Sequence, residues 1–212
     1  MKTLIKSLVA TAALGTAAAL AFAVQLPENE LVSPPVNQPA PEFTVTDIEG
    51  KTHNLADFEG KVVVLEWFNR GCPFVVKHYG SDNMQSLQRE FKETEEVVWI
   101  TVVSSAEGKQ GYMTVDETKA QMEEWNMEPS AVVLDKTGEL GRLYGARTTP
   151  HMYVIDRDGT LVYKGGIDDI NSTDPADIEP ATPLAANAVR ALLSGEAVEV
   201  NSSAPYGCSV KY

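Results

Sequence analysis

Hydrophobic and polar positions divide this chain into stretches of different character. An apolar stretch over residues 8–22 follows Lys2 and Lys6, and periodicity then disappears through residues 25–41, where Pro27, Pro34, Pro35, Pro39 and Pro41 fall among polar residues. The first stretch, with its small-residue site Ala21-Phe22-Ala23, is expected to be a signal peptide cut after Ala23, and residues 24–40 an extended linker. Alternation starts at Phe43-Thr44-Val45 and stops at a turn around Gly50, before His53-Asn54-Leu55, which predicts a small leading β-hairpin. Residues 62–65, 97–103 and 131–134 are short, nearly continuous apolar runs of the kind buried parallel strands need. Between them, apolar positions at Phe74, Tyr79, Met84, Leu87 and Phe91 predict a helical stretch interrupted near Gly80. Residues 115–127 predict a second, with Met122 and Trp125 facing the core.

Residues 152–155 and 161–164 flank Asp156-Arg157-Asp158-Gly159-Thr160, whose Asp-Gly pair signals a hairpin. A last helix over 184–193 closes on Gly195, and residues 196–212 are left as a tail. The order strand, helix, strand, helix, strand, hairpin, helix predicts an α/β domain over residues 41–195, a central mixed sheet flanked by helices.

Composition narrows the partners. The formal net charge is −13, and loss of Lys2 and Lys6 makes the chain two charges more negative, which excludes nucleic acid or an anionic membrane as the main partner. No later stretch is long and apolar enough to span a bilayer, so no membrane contact is expected after signal cleavage. About 190 residues then remain, enough for one core without a disulfide scaffold. Export implies the periplasm or the extracellular medium, where disulfides persist, and the chain has two cysteines, Cys72 and Cys208.

Cys72 follows an apolar strand and precedes Pro73, so its sulfur is expected at a helix N-terminus. Free N–H groups there favour the thiolate, the form that attacks a disulfide sulfur or a peroxide oxygen. The alternative is a buried, inert cysteine, although Gly71 and Pro73 read as a loop-to-helix turn rather than an apolar face. Cys208 lies in the tail Ala204-Pro205-Tyr206-Gly207-Cys208-Ser209, and the segment after Gly195, if extended, would reach about 40 Å. Two readings stay open. Either Cys72 reacts and Cys208 serves it, within or between chains, or the pair is a permanent staple in a non-enzymatic binding or structural module, stabilising by roughly 5 kcal/mol. Lys77 and His78, five and six residues after Cys72, are expected in surface or capping roles. His53, His78 and His151 show no ligand spacing and no calcium-loop pattern is present, so no metal or other cofactor is expected.

Three segments carry a resemblance: Trp67-Phe68-Asn69-Arg70-Gly71-Cys72-Pro73-Phe74, then Arg147-Thr148-Thr149-Pro150-His151, then the tail from Pro205 to Tyr212. Over roughly residues 41–195 the chain resembles the thioredoxin superfamily, and most of all its peroxiredoxin-like (redoxin, AhpC/TSA-type) branch. The resemblance implies a thioredoxin-like fold and a thiol oxidoreductase with Cys72 as nucleophile and Pro73 beginning its helix. Thioredoxin-type enzymes carry a second cysteine three residues on, where this chain has Val75, so Cys208 is implied as the resolving thiol. Typical peroxiredoxins have Pro and Thr or Ser seven and three residues before the reactive cysteine, where Leu65 and Asn69 stand here. Asn69 and Arg70 are then the candidates for polar contacts to a peroxide. Glu66 matches a buried acid that moves protons, its pKa raised by burial. Thr149-Pro150 matches the loop that holds a cis peptide and lends backbone hydrogen bonds to a partner, and Arg147 either supports the thiolate or is an exposed loop residue. Protein disulfides and small hydroperoxides are the two substrate classes, with an unidentified thiol as electron donor.

Overall fold

The computed structural model describes residue 31 and residues 33–212; the expected signal peptide and the first part of the expected linker lie outside the described residues. In chain order the elements are β1 (Gln38–Pro39), β2 (Thr44–Thr46), β3 (Thr52–Asn54), β4 (Val62–Trp67), α1 (Pro73–Gly80), α2 (Asn83–Lys92), β5 (Val97–Val103) and α3 (Val115–Glu124). There follow β6 (Ala131–Leu134), α4 (Glu139–Tyr144), β7 (Thr148–Thr149), β8 (His151–Ile155), β9 (Thr160–Gly165), α5 (Leu184–Ser194) and β10 (Cys208–Ser209). The main sheet has the order β1-β9-β8-β4-β5-β6. Its β4, β5 and β6 are parallel, while β8 joins β4, β9 joins β8 and β1 joins β9 in antiparallel register.

Strand β4 explains the architecture. All six of its residues are buried, and alternate side chains serve opposite faces. Val62 and Val64, with Phe68 beyond the strand, pack with Tyr79, Met84, Phe91, Trp99 and Val189. Val63, Leu65 and Trp67 pack on the other face with Ile100, Leu140, Tyr144 and Tyr153. A strand covered on both faces has no reason to alternate in polarity, which is why residues 62–65 read as a continuous apolar run.

Helix boundaries follow local backbone chemistry. The predicted interruption near Gly80 is real: Asp82 takes a left-handed φ of 57° between α1 and α2. Helix α3 starts in a capping box between Thr114 and Glu117 and stops at Glu124, short of the expected residue 127, because Asn126 turns left-handed at φ 50°. The leading hairpin forms as β2 and β3, a separate two-stranded sheet against the second core.

Two expectations are corrected. Part of the expected linker is built into the sheet: Gln38 and Pro39 pair with Leu161 and Thr160, and Lys164 Nζ donates to Ser33 Oγ at 2.9 Å and to the Pro34 carbonyl at 2.6 Å. Proline suits this place, an edge strand that closes the otherwise open side of β9. The tail is not loose either. Val210 N–H donates to the Arg147 carbonyl at 3.0 Å, Ala106 N–H to the Lys211 carbonyl at 2.8 Å, and the Tyr212 hydroxyl to the Ala146 carbonyl at 2.7 Å. Gly141 admits the Tyr212 ring, since a Cβ there would stand 2.5 Å from it. Among the described residues no helix is long and apolar enough to cross a membrane.

Leu65 is fully buried at the centre of β4. Leu65→Ala is expected to destabilise by about 2–5 kcal/mol, while Leu143→Ala, on a half-exposed position, changes stability by less than about 0.5 kcal/mol. Urea unfolding of the two variants with an unchanged m-value measures both.

Candidate functional site

Cys72 is the N-cap of α1, with extended backbone angles and a carbonyl that accepts the first helical hydrogen bond from Val76 N–H at 2.9 Å. Its side chain has no exposed surface. Across from it, Thr149 and Pro150 are joined by a cis peptide. The Cys72 thiol donates to the Thr149 carbonyl, with Sγ 2.9 Å from the oxygen. The same residue holds the second cysteine: β10 pairs antiparallel with β7, Cys208 opposite Thr149 and Ser209 opposite Thr148. Thr149 Oγ1 also donates to the Cys208 carbonyl at 3.4 Å. Gly207 makes this approach possible, because with φ 121° any Cβ would lie 2.1 Å from the Thr149 oxygen.

Both cysteines are free, and each shifts the ionisation of the other. Burial pushes the Cys72 thiol up, but hydrogen bonds from the Cys208 thiol, the Val75 N–H, the Cys208 N–H and the Thr149 side chain outweigh it and bring it below its ordinary value. The Thr149 carbonyl favours the protonated form, so the donors and this acceptor compete over one sulfur. Burial and the neighbouring Cys72 push Cys208 the other way, up to about 11.

The remaining predicted residues divide into two groups. Glu66 is fully buried on the α1 side of the sheet, and its head does not reach solvent. Tyr79 donates to both carboxyl oxygens at 2.8 and 2.9 Å, and Trp99 Nε1 and Thr101 Oγ1 donate to Oε2 at 2.9 and 3.1 Å. Burial raises its pKa, against these donors, and no hydrogen bond joins it to either thiol among the described residues. Asn69, expected as a peroxide contact, ties the loop: its Oδ1 accepts from Gly71 N–H at 2.9 Å and its Nδ2 donates to the Gln110 carbonyl at 3.2 Å. Gln110 Nε2 returns a bond to the Gly71 carbonyl at 2.9 Å, a partner that local sequence does not reveal. Pro73 is exposed on the first turn, Arg70 is half-buried, and Arg147 is exposed; neither arginine hydrogen-bonds a thiol.

Lys77 and His78 correct the expectation of a surface role, since both are buried. Helix α1 is covered on that side by the chain after β9 and by the tail, contacts too distant in sequence to read from helical spacing.

Residues 36–164 match the AhpC/TSA family. The chain belongs to that family. It is a redoxin of the thioredoxin superfamily, with a thioredoxin-like mixed sheet. It is similar to the thiol-disulfide oxidoreductase ResA of Bacillus thuringiensis subsp. konkukian, 31% identical over 130 residues that cover 60% of this chain and 67% of that protein. A ResA of Geobacillus thermodenitrificans is 26% identical over 133 residues, 59% of this chain and 66% of its own length. Among solved structures, an uncharacterized conserved protein from Geobacillus kaustophilus matches with a TM-score of 0.72 at 27% identity, over 84% of this chain and 92% of its own. A hypothetical protein from Sinorhizobium meliloti shares the fold with a TM-score of 0.67 at 23% identity, over 85% of this chain and 96% of its own.

Two measurements test this redoxin's site electrostatics. A carboxyl whose pKa is raised by folding keeps its proton in the native state after the unfolded chain has lost it, so its share of stability is present below about pH 4.3 and is lost as pH rises through the folded value. Glu66→Gln is therefore expected to flatten the fall in Tm between about pH 4.3 and neutrality relative to the wild-type redoxin; parallel Tm profiles would refute the raised pKa. Cys208→Ala removes a donor from the Cys72 sulfur and should move the thiolate absorbance titration of Cys72 to higher pH. An unmoved midpoint would show that the Cys208 S–H gives the thiolate no support.

Proposed function

We propose that this redoxin is an exported thiol-disulfide oxidoreductase in which Cys72 is the nucleophile and Cys208 resolves the mixed disulfide. The observation that carries the reading is the pairing of Cys208 with Thr149, on whose carbonyl the Cys72 thiol rests. The ResA name of the relatives supports the same class. Cys72 thiolate attacks one sulfur of a substrate disulfide; a Cys72–sulfur bond forms, the substrate S–S bond breaks, and the first substrate sulfur leaves as a thiolate that takes up a proton. Cys208 then loses its proton to solvent and attacks Cys72 Sγ as a thiolate, so the Cys72–substrate bond breaks and the second substrate sulfur leaves as a thiolate that takes up a proton in turn. The substrate gains two electrons, the Cys72–Cys208 pair loses two, and an external dithiol restores the pair.

The pKa values of the two thiols suit this order. While Cys72 carries negative charge, Cys208 is held protonated, at about 11, and spends its S–H on the neighbouring sulfur. Once Cys72 is bound in a mixed disulfide, that charge and that acceptor are gone, and Cys208 becomes the easier group to ionise. Because Cys72 has no exposed surface beneath the docked tail, the incoming disulfide meets it only when residues 207–208 move aside. Their return then delivers the second thiol. Glu66, bound to Tyr79, Trp99 and Thr101, belongs to the frame under α1 rather than to the sulfur chemistry.

A disulfide-bonded peptide offered to the reduced protein tests the reading. Wild type is expected to end as an internal Cys72–Cys208 disulfide, Cys208→Ser to accumulate one peptide adduct on Cys72 by mass spectrometry, and Cys72→Ser to stay unmodified. Turnover unaffected by Cys208→Ser would end the assignment of Cys208. A stopped-flow reaction with hydrogen peroxide much faster than that of an ordinary thiol would move the substrate class to hydroperoxides. A Cys72–Cys208 potential below about −300 mV would favour a permanent structural bridge instead.

A further inference from the structure

Beneath α1 lies a buried polar cluster that the thiol chemistry does not use. Lys77 Nζ, on a side chain with no exposed surface, stands 3.8 Å from Asp168 Oδ2 and makes no hydrogen bond. His78 Nε2 stands 3.7 Å from the same oxygen and 3.4 Å from the Tyr206 hydroxyl, while its Nδ1 meets Asn83 Nδ2 at 2.8 Å. Tyr206 donates its hydroxyl to Asp168 Oδ1, which also accepts from Ile170 N–H at 3.1 Å. The cluster therefore joins the helix that begins at Cys72, the chain after β9, and the tail two residues before Cys208.

Stability does not explain such an arrangement. Taking a lysine and a carboxylate out of water costs several kcal/mol, and an apolar replacement of similar volume is commonly neutral or stabilising. What the cluster does provide is a fixed point for Tyr206. The hydroxyl is held by Asp168, and the ring lies 5.7 Å from Phe74, two residues after Cys72. On the other side of Cys208 the chain is held by the bond from Val210 N–H to the Arg147 carbonyl at 3.0 Å. Between these anchors Gly207 has no lateral room, so the position of Tyr206 sets the position of Cys208.

We infer that Asp168 and Tyr206 are positioning residues for Cys208: Asp168, set against Lys77 and His78, fixes the Tyr206 hydroxyl, and Tyr206 returns Cys208 to the Cys72 sulfur after each attack on substrate. The inference rests on the reading of Cys208 as the resolving thiol. Fixing the tail raises the effective concentration of one thiol at the other, so it shows in the equilibrium and rate of disulfide closure.

Full-length wild type, Tyr206→Phe and Asp168→Asn are equilibrated in glutathione redox buffers, and the closure rate is followed in a single turnover with glutathione disulfide. Tyr206→Phe keeps the ring on Phe74 and removes only the hydroxyl. It is expected to lower the closure equilibrium and the closure rate about tenfold, a potential more oxidising by about 30 mV. Asp168→Asn, which keeps an acceptor for the hydroxyl, is expected to shift both in the same direction by less. Closure within twofold of wild type in Tyr206→Phe overturns the inference and leaves the resolving role of Cys208 standing, and that variant decides the matter if Asp168→Asn does not fold. A wild type that forms no Cys72–Cys208 disulfide overturns both.

Discussion

Thr149 is the residue on which the two cysteines meet. Its carbonyl receives the Cys72 thiol, its backbone pairs with Cys208, and its hydroxyl donates to the Cys208 carbonyl. Each of these contacts is short-ranged, so each requires its element to be placed to within a fraction of an ångström. The placement comes from the sheet. Strand β8, directly after Pro150, pairs with β4 along five register positions, and β4 leads into the loop that carries Cys72. Pairing His151 with Trp67 thus sets the Thr149 carbonyl beside the cysteine loop, and the Asn69–Gln110 clamp on Gly71 holds that loop in place.

The polar interior on the α1 side follows from the same constraint. Strand β4 alternates, and its fifth residue, Glu66, faces the core that contains Tyr79 and Trp99. An acid there is tolerable because three side chains donate to it and because burial raises its pKa towards the neutral form. In the second buried cluster, Asp168 is also pushed up by burial and drawn back by Tyr206 and Lys77. His78, pushed down to about 3 by burial and by Lys77, stays neutral and so meets Asp168 as a dipole rather than as a second cation. Both networks reach α1, one through Tyr79 and one through Lys77 and His78, and together they fix the roll of the helix whose N-cap is Cys72. Axial position and roll decide where the N-terminal N–H groups point, and hence how well they serve the sulfur.

What was legible in the sequence was what local pattern dictates. The runs at residues 62–65, 97–103 and 131–134 became central strands because burial on both faces leaves a continuous apolar signature. The break at Gly80 and the stop at Gly195 were legible as backbone chemistry. Cys72 before Pro73 read directly as a helix N-cap. The tail was not legible, since Cys208 and its neighbours dock through single backbone bonds and two aromatic anchors, Tyr206 and Tyr212, with no periodicity to signal them. The burial of Lys77 and His78 was hidden for the same reason: what covers them lies some ninety and one hundred and thirty residues away, as Asp168 and Tyr206. The short strands β1, β7 and β10 are two residues each, below the length at which any pattern exists.

The absence of a cysteine at Val75 changes how a thioredoxin-like site divides its work. With a second thiol on the next turn of the same helix, both sulfurs would share one rigid element and one set of N–H donors. Here the second thiol arrives on a separate strand, and its own N–H and S–H join the donors at Cys72. The coupling is reciprocal, because a hydrogen bond that favours the Cys72 thiolate by a given amount disfavours ionisation of Cys208 by the same amount. Docking the tail therefore favours ionisation of one sulfur and disfavours that of the other. Moving the tail reverses both effects, so access to Cys72 and the ionisation of Cys72 are set by one displacement. If Cys208 resolves as proposed, a site built this way is not fully exposed and fully activated together, and its rate follows how firmly Tyr206 and its partners bring the strand back.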